Sequence, residues 1–276
     1  MNTTQLPVLG AALSINSAEP LLPWIREKNR DLEIQDFVFP GVLDAHWREI
    51  AQRYDRLLDG HRGRVGLHGP FFGLDLAAFD PQIQAVIQSR LLQGLEICEQ
   101  LTATQMVVHS PFTAWHHQNF GHSSGLKDRI YEACHENLAP VIARAQDIGC
   151  TLVLENIEDV DPAERRRLTQ YLNSDSVKIS VDTGHAHLAH DCAGAPPVDY
   201  FIKDAGAELA HVHIQDTDGY ADRHWLPGKG RINWPAFFEA LGRNAANPHL
   251  VIEVQAQYQA TIPECVAQLE AMGLAQ

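Results

Sequence analysis

A chain of 276 residues carrying a formal charge of −14, with 45% hydrophobic and 20% charged residues, has the composition of a globular protein large enough to bury one core without splitting. No apolar run approaches the ~20 residues that cross a bilayer, and the N-terminal stretch MNTTQLPVLGAALSINSAEP lacks the basic start and apolar centre of an export signal. The acidic balance argues against nucleic acid as a partner, because Lys and Arg on phosphates supply most non-specific affinity.

Strand-like and helix-like segments alternate along the whole sequence. VLGAAL from Val8 precedes the helical pattern LLPWIREKN, and LEIQDFVF from Leu32 precedes DAHWREIAQRYDRLL. RVGLHG from Arg64 leads to DPQIQAVIQSRLLQGLEICEQL, where Asp80 and Pro81 supply an N-cap and first turn. QMVVHS from Gln105 leads to LKDRIYEACHENLAPVIARAQDIG, which stops on Gly149. A kink or break is expected there at Pro140, whose ring removes a donor and crowds the preceding turn. TLVLEN from Thr151 is followed by DPAERRRLTQYL, and VKISVD from Val177 by PVDYFIKDA. LAHVHI from Leu209 is followed by WPAFFEALGR, and LVIEV from Leu250 by the terminal IPECVAQLEAMG. Eight strands alternating with eight helices define a parallel α/β protein. Their simplest closure is a (β/α)8 TIM barrel, which typically needs about 250 residues. An open doubly wound sheet would use the same elements but gather its ligand groups at one crevice. With no repeat, low-complexity tract or linker, residues 1–276 form one expected domain.

The positions of the metal-capable side chains favour the barrel. Strands three to eight end in or near His68 (GLHGPF), His109 (VVHSPF), Glu155 (LVLENIED), Asp182 and His185 (ISVDTGH), His213 (HVHIQD), and Glu253 (VIEVQ), with Asp222 and His224 (DRHW) between the last two. In a barrel these ends converge on one mouth, where active sites are built. An unpaired polar group at a core edge costs several kcal/mol, and Glu155 and Glu253 follow the apolar runs TLVL and LVI. No Lys or Arg ends a neighbouring strand, so a divalent cation is the natural compensation. Oxygen-rich ligation with one or two imidazoles suits Mn²⁺, Mg²⁺, Co²⁺ or Zn²⁺.

A lone histidine near a strand end is more often a hydrogen-bonded core residue than a ligand, and several of the 15 histidines fall in that class. His116, His117 and His122 are expected on a loop over the mouth, and His187 and His190 in solvent beyond the VDTGH turn. His211 and His213 share one side of their strand, and His213, nearer its C-terminal end, is the preferred ligand. The five cysteines (Cys98, Cys134, Cys150, Cys192, Cys265) are odd in number and form no CxxC pair, which favours reduced thiols, a cytoplasmic location and no thiolate zinc.

The ordered series HGP, VVHSPF, LEN, VDTGH, His213-x-x-Asp216 and Asp222-x-His224-x-x-x-Gly228-x-Gly230 resembles the xylose isomerase-like TIM-barrel superfamily, which unites sugar isomerases and epimerases with endonuclease IV. The resemblance runs from the third strand to the last. It implies one divalent ion held by Glu155, Asp182, His213 and Glu253, with Glu155 and Glu253 exchanging protons with a sugar carbon through an enediolate. His68, His109, His185, Asp222 and His224 become further metal or substrate ligands, and Arg223, Lys229, Phe71 and Trp115 substrate contacts, with Phe72 beside them and Arg231 as a third cation. A metal-dependent isomerase or epimerase of a small sugar, sugar phosphate or related carbonyl compound is therefore expected, and a sugar-acid dehydratase would use the same chemistry. All nine mouth residues also match the trinuclear zinc ligands of endonuclease IV, so cleavage of abasic DNA is the alternative. Three cations make a thin platform for DNA, with a charge every ~1.7 Å of helix axis. A non-catalytic barrel would leave the strand-end carboxylates without a purpose. A membrane partner is not expected; a homodimer is compatible, since related barrels often pair.

Overall fold

The computed structural model describes residues 6–244 and 246–276. Eight strands, β1 (Gly10–Leu13), β2 (Leu32–Ile34), β3 (Val65–His68), β4 (Gln105–His109), β5 (Thr151–Glu155), β6 (Val177–Asp182), β7 (Leu209–Ile214) and β8 (His249–Ile252), close into one barrel in chain order. Every neighbouring pair is parallel, β8 pairing back onto β1. The open doubly wound sheet is thereby set aside.

The eight expected strands are all present, with two adjustments. LEIQDFVF contributes only Leu32–Ile34, after which Asp36–Val38 form a 3-10 turn. The chain turns there because the Asp36 carboxylate accepts from the Ile15 amide at 2.8 Å and the Tyr54 hydroxyl at 2.7 Å. The last strand begins at His249 and ends at Ile252, leaving Glu253 just past its end.

The helices outnumber the expected eight, because short ones such as Ala114–Asn119 and Ala256–Gln259 decorate the loops. Asp80 caps its helix as expected, accepting from the Gln82 and Ile83 amides. Gly149 ends the helix Leu126–Ile148 at φ 69°, a left-handed value at which glycine carries no Cβ penalty. That helix is not broken at Pro140, contrary to expectation. Proline there removes the donor owed to the Glu136 carbonyl, and Gln88 Nε2 supplies it instead at 3.1 Å. No helix among the described residues is long and apolar enough to cross a membrane.

Two interiors result. Leu, Ile, Val and Phe side chains fill the shell between sheet and helices, including Leu67, Met106, Leu152, Ile179, Val212 and Phe237. The barrel lumen is polar. Glu33 on β2 reaches His211 and His213 on β7, across strands that are not neighbours, so all three project inward. Below them lies His249, 4% exposed. Burial first, then Arg64 and His211, pushes the His249 pKa from 6.5 down to about 2.

This depressed pKa predicts an acid-labile fold. The folded chain keeps His249 neutral where the unfolded chain protonates it, so stability is present above pH 6.5 and drains as pH falls below it. The slope contributed is about 1.4 kcal/mol per pH unit. In urea titrations between pH 6.5 and 4.5, His249→Gln is expected to flatten the pH dependence by about that amount; an unchanged slope rules out the assignment.

Candidate metal centre

The parallel register brings the polar strand ends to one level: His109 pairs beside Glu155, and Asp182 beside His213. Glu155, Asp182, His213 and Glu253 converge there, each offering a ligand atom within 4.8 Å of the others. His213 Nδ1 faces the centre of the group, 2.7 Å from Glu155 Oε1, 3.5 Å from Glu253 Oε2 and 4.0 Å from Asp182 Oδ2. Asp182 also caps the helix Thr183–Ala193 by accepting from the His185 amide. Asn156, just past β5, braces it from both sides of its backbone, accepting from the Asp182 amide and donating to its carbonyl.

Two further groups flank this centre. His68 and His109 bring their Nε2 atoms to 3.8 and 3.5 Å from Glu155 Oε2. On the other side, His185 Nε2 and His224 Nε2 lie 3.3 and 3.1 Å from Asp222 Oδ2. His224 Nδ1 sits 3.5 Å from Glu253 Oε2, so the nine residues form one continuous cluster.

The electrostatics leave the cluster ready to exchange protons for a cation. Burial opposes charge on Glu155, yet His213 beside it holds its pKa well below the carboxylate range. Burial also opposes charge on His213, but Glu253, Glu33 and Glu155 together hold its pKa well above the usual 6.5. His224, opposed by burial and favoured by Glu253 and Asp222, is raised to about 9. Asp182 is pushed by burial to about 6, and His109 by burial to about 3.

A cation fits this donor set. Glu155 Oε2 and Asp182 Oδ2 are buried without a hydrogen-bond partner among the described residues. The guanidinium of Arg165, buried behind them, is already paired with Asp159 at 2.9 Å. Orphaned carboxylate oxygens in such a place cost several kcal/mol, and a divalent ion with carboxylate and imidazole ligands removes that cost.

The remaining expected contacts divide. Phe71 stacks on His109 at 4.2 Å between ring centroids, and Phe72 stacks on Phe39 at 4.9 Å, giving the cluster one aromatic wall. Trp115 is 60% exposed, its ring edge-on to His116. Arg223 is paired with Asp218 at 2.9 Å and Arg231 with Asp191 at 3.3 Å, while Lys229 is exposed. The expectation that His187 and His190 are solvated fails: His187 is buried, and His190 Nδ1 lies 2.6 Å from the Ala195 carbonyl. The helix Thr183–Ala193 packs down on the barrel and takes both with it. Cys98, Cys134, Cys150 and Cys265 are buried, and all five cysteines are free.

Three residues that escaped the sequence reading complete the site. Glu33 bridges His211 and His213 from below. Gln35 Nε2 donates to Glu253 Oε1 at 2.5 Å. Gln215 ties the centre to its flank, donating to Asp182 Oδ1 at 3.2 Å and Asp222 Oδ1 at 3.1 Å while accepting from the His224 amide. Glu33 interrupts the apolar run LEI in mid-strand, not at its C-terminal end where Glu155 and Glu253 stand, so the strand-end signal did not mark it.

The loop after β7 that delivers Asp222 and His224 is organised by Asp216. This buried carboxylate accepts from the amides of Thr217, Gly228 and Ile232 and from Trp234 Nε1. A bridge between Asp216 and Trp225 closes the loop, and His224 adopts φ 47° at its tip.

Gly184 makes the Gln215 contacts possible. A Cβ added there would meet the Gln215 amide at 2.2 Å. Gly184→Ala is therefore expected to displace Gln215 and destabilise the fold by about 1–3 kcal/mol, the usual cost of overpacking. Denaturant unfolding measures this; a variant as stable as the parent would mean the site tolerates the shift.

A parallel eightfold barrel with a carboxylate–imidazole cluster at the C-terminal mouth defines the class. The chain belongs to the xylose isomerase-like TIM barrel family, whose model matches residues 33–272. It is 32% identical over 116 residues to fructoselysine 3-epimerase of Escherichia coli O157:H7, covering 37% of this chain and 38% of that one. An uncharacterised protein of Methanocaldococcus jannaschii is 23% identical over 193 residues, and the match spans only 62% of its length. Among solved structures, the TTHB071 protein of Thermus thermophilus, soaked with ZnCl2, superposes with a TM-score of 0.72 at 25% identity, covering 95% of this chain and 98% of that one. A D-tagatose 3-epimerase-like protein shares the fold with a TM-score of 0.76 at 20% identity, covering 96% and 98%.

Proposed function

We propose that the chain is a metal-dependent isomerase or epimerase of a small sugar, sugar phosphate or related polyhydroxy carbonyl compound. The observation that carries this reading is the convergence of Glu155 and Glu253, from β5 and just past β8, on the same buried imidazole. Glu155, Asp182, His213 and Glu253 would hold the ion, Mn²⁺, Co²⁺, Zn²⁺ or Mg²⁺. When bound, a divalent ion polarises a carbonyl and stabilises the charge that develops as the α-proton leaves. Glu155 and Glu253 move that proton, one taking it from the substrate carbon and the other returning one, on the opposite face for epimerisation or at the neighbouring carbon for isomerisation. Gln35 orients Glu253 for this work. His185, its Nδ1 2.9 Å from the Asn156 carbonyl, presents Nε2 to a substrate oxygen. Phe71 keeps water from one side. The epimerase names among the relatives support this class of substrate, and the five free cysteines suit a cytoplasmic enzyme.

A second reading rests on the two flanking groups, His68–His109–Glu155 and His185–Asp222–His224, which would hold further zinc ions in a phosphodiesterase acting on abasic DNA. The charge of −14 and the pairing of Arg223 and Arg231 with carboxylates disfavour a DNA partner. Elemental analysis together with two assays separates the readings. About one ion per chain, with solvent deuterium entering a ketose carbon, is the expected result. About three ions per chain with cleavage of an abasic-site duplex overturns it.

A further inference from the structure

We propose that Glu33 is the positioning residue of the metal centre: by accepting from His213 Nε2 it commits Nδ1 as that histidine's ligand atom. The inference rests on the metal reading above and goes beyond it to a residue outside the nine mouth positions.

Glu33 sits at the middle of β2, 2% exposed, and approaches β7 across the lumen. Its Oε1 is 2.8 Å from His213 Nε2, and its Oε2 is 2.9 Å from His211 Nε2. A carboxylate only accepts, so a ring nitrogen this close to it must carry a hydrogen. The same rule puts a hydrogen on His213 Nδ1, 2.7 Å from Glu155 Oε1, so the ion-free ring is doubly protonated. A cation entering the site would displace the Nδ1 hydrogen, and the one that Glu33 keeps on Nε2 would leave the lone pair on Nδ1. That atom points into the group of Glu155, Asp182 and Glu253. His211 Nε2 approaches Glu33 Oε2 at 2.9 Å without hydrogen-bond geometry, and its Nδ1 lies 2.8 Å from Ser180 Oγ. Ser180, His211, Glu33 and His213 thus form a buried chain along the lumen that ends at the metal position. Partners of this kind fix the tautomer and ring orientation of a ligating histidine and are typically worth 10–100-fold in metal affinity.

Glutamine at position 33 removes the charge that faces both imidazoles and puts an amide NH₂, which cannot accept, in place of one carboxylate oxygen, so the hold on the His213 Nε2 hydrogen weakens. Titration of full-length, metal-stripped parent and Glu33→Gln with Zn²⁺ against a chelating dye is expected to show binding about 10–100-fold weaker in the variant. The midpoint of thermal unfolding of the stripped variant should fall. Burial opposes charge on Glu33, but His213 and His211 outweigh it and hold its pKa below the carboxylate range, so the charged form stabilises the fold. The affinity comparison on folded protein carries the test. Equal affinities overturn the proposal. So does the loss of one whole equivalent of bound ion with the rest unchanged, which would make Glu33 a ligand itself. A parent chain that takes up no divalent ion sinks the metal reading first, a result visible before any variant is compared. Should Glu33→Gln fail to fold, ¹⁵N-histidine NMR of the zinc-loaded parent decides. A hydrogen on His213 Nε2 with zinc on Nδ1 upholds the assignment, and zinc on Nε2 overturns it.

Discussion

Glu253→Gln is expected to lower turnover about 10²–10⁴-fold, the range associated with a positioned acid or base. The substitution keeps the size of the side chain and an oxygen for Gln35 Nε2, so the fold and the aromatic wall should persist. It removes the capacity to carry a proton. Because Glu253 is also a proposed ligand, the measurement must hold metal content constant, with turnover recorded at saturating Mn²⁺ and bound metal quantified in the same samples. Deuterium wash-in from D₂O, followed by NMR across a panel of ketoses and their phosphates, reads the proton transfer directly. Full turnover in the variant would refute the two-glutamate proposal. Glu155→Gln should cost at least as much, since Glu155 faces His213, His68 and His109 at once.

The second large effect is on stability. Without an ion, Glu155, Asp182, Asp222 and Glu253 crowd one mouth, held by protonated histidines. An ion bound at 100 times its dissociation constant stabilises the fold by about 2.7 kcal/mol. At about 2–4 °C per kcal/mol for a chain near this size, the thermal midpoint rises by roughly 5–10 °C. Chelation should reverse the gain. The pH dependence follows from His224, raised to about 9. A raised folded-state pKa gives stability that is full below the unfolded value of about 6.5 and lost as pH climbs through 9. The chelated chain should therefore weaken between pH 7 and 9, while the ion, no longer competing with protons, binds better there. Differential scanning calorimetry at several pH values, with and without a chelator, measures both trends. A midpoint indifferent to the ion at every pH would contradict the fit of the cation.

The barrel was legible because parallel strands buried on both faces read as apolar runs, and each of the eight runs appears in the sheet. The nine mouth residues were legible because they interrupt those runs at their C-terminal ends, and the closed sheet gathers all of them. Glu33 and Gln35 stayed hidden for the converse reason. They lie on and just after β2, and the strand ends at Ile34 rather than Phe39, so which residue faced the lumen depended on a register no periodicity reveals in so short a strand. Pro140 misled because its cost is local while its compensation, Gln88, comes from another helix. His187 was read as solvated because TGHAHLAHDCA has no strong amphipathic pattern to show which side the helix buries. The fates of Arg223 and Arg231 depend on Asp218 and Asp191, contacts made only once the loop folds.

That loop has a consequence for how such barrels diversify. Asp216 binds four donors within it, so the segment up to Trp234 brings its own framework. Asp222 and His224 ride on it, whereas Glu155, Asp182, His213 and Glu253 belong to the sheet rim. Grafting this segment between relatives would add or delete Asp222 and His224 together and leave the rim untouched. A lineage could thus gain or lose this pair of side chains in a single exchange, and a chimaera carrying a foreign version of the segment is the direct way to test whether it folds as a cassette.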